Sequence, residues 1–203
     1  MTPREYKLFQ IKEREEAEEL ANDWHFPLSA HRKKLFQILR EMEPFKLSQE
    51  DIPLRIKLVE NPKWFTSEFF GGAVDLFTHD CIHIILGRGL LLKDEAFVIG
   101  YTMGSTRKIS RFKRNLFMFC AKYFYPKGYR FGEEERFVFN MGVALGEQNN
   151  DDITEYPFDE CLMTWNYSLS VLRQGFVNVD LLRNYYRVEK SLFPNSIESQ
   201  RLI

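Results

Sequence analysis

The chain has 203 residues, of which 44% are hydrophobic and 28% are charged, and this length is enough to bury a substantial core in one domain. Its 28 basic and 29 acidic residues nearly cancel, so the composition excludes a general attraction to nucleic acid. Three cysteines, odd in number and widely spaced, argue against a disulfide framework and predict a reducing compartment. Because no apolar run is long enough to cross a bilayer and no apolar signal-peptide core is visible, we expect a cytoplasmic protein that is at most peripheral to a membrane.

The hydrophobic spacing is helical along the whole chain, and it predicts an all-α fold. In chain order, the predicted helices cover residues 4–21, 31–43, 48–60, 64–86, 90–104, 110–125, 132–148, 157–174 and 178–192. We expect one domain over 1–203, an orthogonal or bundle-like array of about eight helices. Residues 1–45 are candidates for appended helices, and residues 194–203 are predicted to form a tail.

The most informative motif lies in the predicted helix over 64–86, where two of the four histidines fall within five residues. His79, Asp80 and His83 share one face, because His83 lies about 40° and Asp80 about 100° round the helix from His79. The flanking residues are apolar, so these side chains are expected to face inward, where burial is costly without a partner or a metal. A solvated polar face on an amphipathic helix is the weaker interpretation.

Glu95 follows the helix break predicted at 87–89 and would approach the two histidines from the next segment. It would complete a set of two histidines and two carboxylates, with Asp80 as the other acid. Such nitrogen and oxygen ligands suit one divalent metal ion, and they do not distinguish Zn, Fe, Mn, Co and Mg. Asp75 lies one turn before His79 and is predicted to orient that imidazole by a hydrogen bond.

The pattern His-Asp-x-x-His, with Gly87 four residues later and Glu95 eight residues beyond that glycine, resembles the signature of the Coq-four family of ubiquinone-biosynthesis proteins. The resemblance covers roughly residues 60–150. It departs at Asp94, where the family has a glycine beside the glutamate.

This resemblance implies an all-helical protein that works at a membrane surface and binds an isoprenoid or quinone-precursor lipid. It also implies a divalent metal held by the signature residues, which here are His79, Asp80, His83 and Glu95. The implied activity is oxidative removal of the C1 carboxyl from a prenylated benzenoid ring. A biosynthetic complex is the implied assembly, with a homodimer as the alternative.

A second group of residues begins the predicted helix over 110–125, where five of eight residues are basic and none is acidic. Positive charge at a helix N-terminus opposes the helix dipole, so an anionic partner is expected. The aromatic-rich face of this helix is typical of an interfacial amphipathic helix. We therefore predict binding of an anionic membrane surface, a lipid head group or a prenyl phosphate by Arg107, Lys108, Arg111, Lys113 and Arg114. A solvated basic cap on a core helix is an equal alternative.

Two other functions are compatible with the same residues. In a metal-dependent phosphohydrolase of the His-Asp class, His79 and Asp80 would join an upstream histidine such as His31 and a downstream aspartate. His83 and Glu95 would then have no required role. In a non-catalytic carrier or scaffold for prenyl lipids, the metal would only hold a phosphate or head group. The metal ligands are the catalytic candidates under the first interpretation.

Overall fold

The structure is a computed structural model, and it describes residues 24–45, 74–106, 109–148, 152–159 and 166–203. Within these ranges the chain forms an all-α fold, as predicted, without a β-strand. Eight α-helices are described there: α1 (Leu35–Met42), α2 (Leu76–Leu86), α3 (Leu92–Ser105), α4 (Arg111–Tyr123), α5 (Glu133–Gly146), α6 (Leu169–Phe176), α7 (Val179–Leu192) and α8 (Ile197–Gln200). Short 3-10 helices are described at Glu43–Phe45, Lys127–Tyr129 and Ile153–Glu155.

Hydrophobic spacing predicted five of these helices to within a few residues, namely α1, α3, α4, α5 and α7. The helix α1 shows why the spacing was sufficient. Leu35, Ile38, Leu39 and Met42 recur at helical intervals, and all four are buried. The predicted helices over 4–21 and 48–60 lie outside the described residues.

Two predicted helix starts differ from the structure. In the described part of 64–86, the helix begins at Leu76, because the Asp75 side chain accepts a hydrogen bond from the Thr78 amide and so caps α2. The helix predicted over 157–174 is interrupted: Asn166 is helical, Ser168 is extended, and α6 begins at Leu169. Residues 160–165, in the middle of that prediction, lie outside the described part of the chain.

Both ends of the described chain belong to the main core. In the range 1–45, which we treated as a candidate for appended helices, Trp24, Phe26 and Leu28 are buried together with α1. The segment 194–203, predicted as a tail, instead contains α8 and the buried Leu202. The Leu202 carbonyl accepts a hydrogen bond from the Leu28 amide at 3.0 Å, which joins the two ends.

The helices α3 and α5 separate two hydrophobic clusters and pack closely against each other. The larger cluster draws on α1, α2, α6 and α7, whereas the smaller one draws on α4. Glycines at a four-residue spacing line the contact: a Cβ added at Gly100 or Gly104 of α3 would collide with a carbonyl oxygen of α5. The same holds for Gly142 and Gly146 of α5 against α3. The absence of side chains at these positions therefore sets the close approach of the two backbones.

The C-terminal end of α2 is fixed by a glycine and by a buried arginine. Gly87 has a φ of 74°, a left-handed conformation that favours glycine, and its amide donates to the Ile84 carbonyl at 3.2 Å. Arg173 of α6 donates from Nε to the Ile85 carbonyl at 2.9 Å and from Nη1 to the Leu28 carbonyl at 2.7 Å. This cation lies at the negative end of the α2 dipole and holds α2 against the segment that precedes α1.

Candidate metal centre

His79, His83 and Glu95 meet where α2 faces the first turn of α3. Each of the three side chains offers one ligand atom, and these atoms all lie within 4.8 Å of one another. The distance from His83 Nε2 to Glu95 Oε1 is 3.3 Å, and that from His79 Nε2 to Glu95 Oε2 is 3.5 Å. Two α2 imidazoles one helical turn apart therefore face the same α3 carboxylate.

The spacing of these atoms suits a shared ion. Ligands placed about 2.1 Å from one tetrahedral metal ion lie about 3.4 Å from each other. The two histidine-to-glutamate distances, 3.3 and 3.5 Å, are close to that value, although each histidine faces a different oxygen of the carboxylate. The group could hold a divalent metal ion.

A backbone contact fixes the tautomer of His83. Its Nδ1 lies 2.7 Å from the Gly89 carbonyl oxygen, which can only accept, so Nδ1 carries the proton. Nε2 faces Glu95, and it is buried without a well-formed hydrogen bond to the described residues. A ligating histidine is typically oriented in this way, by a backbone carbonyl on its far nitrogen.

Two of the three ligands, His79 and Glu95, are held in the protonation state that binds a metal ion, whereas His83 would have to release a proton to do so. Burial lowers the pKa of His79 to about 4, against the opposing influence of Glu95, so this imidazole is neutral. For His83, burial alone would lower the pKa, but the Glu95 carboxylate raises it overall. Burial would likewise raise the pKa of Glu95, and the two histidines lower it instead. A carboxylate and a neutral imidazole are the forms that bind metals.

Access from solvent differs among the three side chains. His83 is completely buried, whereas the side chains of His79 and Glu95 are 23% and 32% exposed. An ion on these ligands would therefore be held from the interior side by His83. Its remaining positions would open towards His79 and Glu95, where a small molecule could enter.

Asp80 and Asp75, the other two residues predicted for the site, are not among the three converging ligands. Asp80 is buried, and its charge contributes to the raised pKa of His83, but the described group of converging ligand atoms does not include it. Its role as a fourth ligand stays a prediction. Asp75 is exposed at the start of α2, where its oxygens accept from the amide of Thr78 at 3.0 Å and from its hydroxyl at 2.6 Å.

Three of the five predicted basic residues are described, and none of them belongs to the group of converging ligands. Arg107 and Lys108 are outside the described residues, whereas Arg111, Lys113 and Arg114 occupy the first turn of α4. Ser110 caps this helix by accepting from the Lys113 amide at 3.2 Å. Arg114 forms an ion pair with a glutamate that follows α5, and Arg111 is exposed.

The outer face of α4 is aromatic. Phe112, Phe119 and Tyr123 recur at one side of the helix and are each more than half exposed, as is the adjoining Phe124. The opposite side, with Phe117, is buried in the smaller cluster. The face of α4 made by Phe112, Phe119, Tyr123 and Phe124, with the basic first turn beside it, is called the α4 face below.

Sequence reasoning missed the residues that support the ligands. It treated Gly87-Arg88-Gly89 only as a helix break, although Arg88 is completely buried and the Gly89 carbonyl binds His83. It noted Asp94 only as a departure from the family pattern, although this carboxylate is buried beside Glu95. Two signals were available in the sequence. Arg88 is a charged residue between two glycines, and Asp94 is a charged residue next to a proposed ligand.

Comparison with known proteins found no matching family model, no matching curated protein and no matching solved structure. The resemblance to the Coq-four family therefore rests on the motif of His79, His83 and Glu95 with their neighbours. None of the described helices has both the length and the hydropathy needed to cross a bilayer.

Proposed function

We propose that the chain binds one divalent metal ion through His79, His83 and Glu95 and acts on an isoprenoid or quinone-precursor lipid. The convergence of three ligand atoms within 4.8 Å is the observation that carries the proposal. The likeness of the surrounding motif to the Coq-four signature supports the class of lipid. The proposed reaction is oxidative decarboxylation of a prenylated aromatic acid.

A divalent ion at this centre would supply open coordination positions and a net positive charge for a substrate carboxylate. Glu95 contributes one negative charge and the two imidazoles none, so the loaded site would keep a charge of about +1. His83 would hold the ion rigidly through its contact with Gly89. Oxidative chemistry requires an ion that changes oxidation state, so we propose Fe, Mn or Co for this reaction in preference to Zn.

The α4 face supports an anionic membrane surface as a partner. This helix contains no acidic residue, and its exposed aromatic side chains lie next to Arg111 and Lys113. Aromatic groups enter the interface of a bilayer, and basic groups attract anionic head groups. A protein held at such a surface would be close to a membrane-dissolved prenyl substrate.

Elemental analysis of the purified protein, with native mass spectrometry beside it, tests the metal centre. We expect about one equivalent of a divalent ion in the unaltered protein and its loss in His83→Ala and Glu95→Ala. His31→Ala is the matched control, because His31 is exposed and its ring contacts the Ser29 carbonyl. Metal retained in full by both site variants would overturn the proposal.

The same variants separate the phosphohydrolase alternative. That class would need His31 or another upstream histidine and would not need Glu95. Within the described chain, His31 is not part of the converging group, whereas Glu95 faces both imidazoles. Phosphatase activity that survives Glu95→Ala and is lost in His31→Ala would favour the alternative.

Native mass spectrometry also addresses the carrier or scaffold alternative. A co-purified prenyl lipid that is bound but not converted, with the metal present, would support binding without catalysis. Decarboxylated product formed from a synthetic prenylated hydroxybenzoate, in the presence of oxygen and the metal, would support the enzyme.

A further inference from the structure

The loop between α2 and α3 is held by a completely buried arginine. Arg88 Nη1 donates to Glu189 Oε1 at 3.0 Å, and Nη2 makes the second bond to the same carboxylate. The guanidinium carbon also lies 4.0 Å from the ring centre of Phe97 and 4.5 Å from that of Tyr186. Arg88 therefore connects the loop to α3 and α7 by charge and by cation–π contact.

The residues of α8 and its flanks, 196–202, complete this network and are called the α8 segment here. Arg201 Nη2 donates to Asp94 Oδ2 at 2.9 Å, and Ser199 Oγ donates to Glu189 Oε1 at 3.0 Å. The α8 segment thus supplies a partner to each of the two buried carboxylates. Arg88 lies further from Asp94, at 3.7 Å, so Arg201 is the closer cation to that carboxylate.

These contacts lie directly behind the metal ligands. Asp94 precedes Glu95 and also accepts from the Leu91 amide at 3.2 Å, which fixes the first turn of α3. The Arg201 guanidinium packs so closely against Gly89 that a Cβ added at Gly89 would collide with it. Gly89 in turn provides the carbonyl that orients His83. One arginine of the α8 segment therefore touches the supports of two of the three ligands.

Removal of Arg201 would disturb the centre without touching a ligand. Of its two cations, Asp94 would keep only the more distant Arg88, and a buried carboxylate that loses its closer cation is held less firmly. The first turn of α3, which carries Glu95, would then be less well fixed. Loss of the Arg201 side chain would also leave space beside Gly89. The Gly89 carbonyl, which accepts the hydrogen bond from His83 Nδ1, would then be held less firmly.

We propose that docking of the α8 segment and metal binding at His79, His83 and Glu95 are coupled, with Arg201 and Asp94 as positioning residues. This inference rests on the proposed function, because it requires metal to bind at these ligands. By linkage, a segment that strengthens metal binding when docked must itself be held more firmly when metal is bound. The coupling therefore predicts an effect in each direction.

The test is a Co²⁺ titration followed by visible absorption, with hydrogen exchange of the amides in 197–202 measured with and without Co²⁺. In Arg201→Met we expect affinity for Co²⁺ to fall on the order of tenfold or more, with an altered spectrum, and partial rescue in Arg201→Lys. In the unaltered protein, Co²⁺ should slow exchange in 197–202. Arg187→Met is the matched control, because Arg187 is exposed on α7 and donates to Asn184.

The outcomes distinguish this inference from the function on which it rests. If the unaltered protein does not bind Co²⁺, both fall. If it binds Co²⁺ but Arg201→Met has the same affinity and spectrum, only the coupling is wrong. Should Arg201→Met fail to fold, the exchange measurement on the unaltered protein decides, and exchange in 197–202 that is unchanged by Co²⁺ would overturn the coupling.

Discussion

Charged side chains are arranged in opposite ways in the α2–α3 region and on α4. In the first region Arg88 and Glu189 are completely buried and paired, next to a second buried pair made by Asp94 and Arg201. On α4 the charges are of one sign, and Arg111 lies at the surface beside exposed aromatic rings. Buried ion pairs fix a site, whereas an exposed cluster of one sign attracts a partner of opposite charge from outside the chain.

The largest effect should come from breaking a buried pair. Glu189→Ala leaves Arg88 without its bidentate partner, so we expect the free energy of unfolding to fall by about 3–5 kcal/mol. Glu41→Ala is the control, because Glu41 pairs with Lys33 at 2.7 Å with both side chains about half exposed. It should cost less than about 1 kcal/mol. Denaturant unfolding checks both values, and equal losses would remove the contrast between buried and exposed pairs.

A similar contrast can be drawn at two helical glycines. Gly142→Ala brings a methyl group against the Phe97 carbonyl across the α3–α5 contact, so we expect a loss of about 1–3 kcal/mol. Gly175 of α6 has open space at the same position, and Gly175→Ala should stabilise the protein by about 0.5–1 kcal/mol. Thermal unfolding of the two variants should shift in opposite directions; a shared direction would contradict the packing described for α3 and α5.

The basic first turn of α4 is tested by binding to vesicles. Arg111→Gln with Lys113→Gln should weaken binding to phosphatidylserine-containing vesicles by about tenfold or more, since each basic group near the surface contributes about 1 kcal/mol. The matched control is Arg183→Gln with Arg187→Gln, two exposed arginines of α7. Sedimentation with vesicles measures both. If both double variants bind vesicles equally weakly, the effect is a general one of charge. If the α4 double variant binds as well as the unaltered protein, the α4 face is not a membrane surface.

The smallest effect is expected at Asp75, which belongs neither to the buried ion pairs nor to the basic first turn of α4. Because it caps α2 through Thr78, Asp75→Ala should cost about 1 kcal/mol of stability. Loss of a group that orients a ligating histidine typically lowers metal affinity by about tenfold or more. Because Asp75 caps the helix instead, we expect Asp75→Ala to change metal affinity by less than about tenfold. A metal titration checks this, and a larger loss would restore Asp75 as a partner of His79.

The sequence was sufficient for contacts that arise from local spacing. His79 and His83 were predicted to share a helix face, and Glu95 to approach from the next segment, because both statements depend only on helical geometry and on the glycine break. The all-α fold followed from the 3.6-residue period for the same reason.

Contacts across the chain could not be predicted in this way. Asp94 and Arg201 are 107 residues apart, and their pairing depends on how α8 returns to the start of α3. The segment 194–203 was predicted as a tail because Pro194 suggested a stop, although Ser196 starts a new helix by accepting from the Ser199 amide. Local signals for helix starts compete with signals for helix ends, and tertiary contacts decide between them.

The four glycines between α3 and α5 also restrict how these helices can slide. A shift of one residue, about 1.5 Å along the axis, would bring a residue with a side chain against a carbonyl oxygen of the other helix. The glycine spacing allows relief only after four residues, or about 6 Å. The pair therefore has a fixed register, which fixes the height of Glu95, five residues before Gly100, relative to α5.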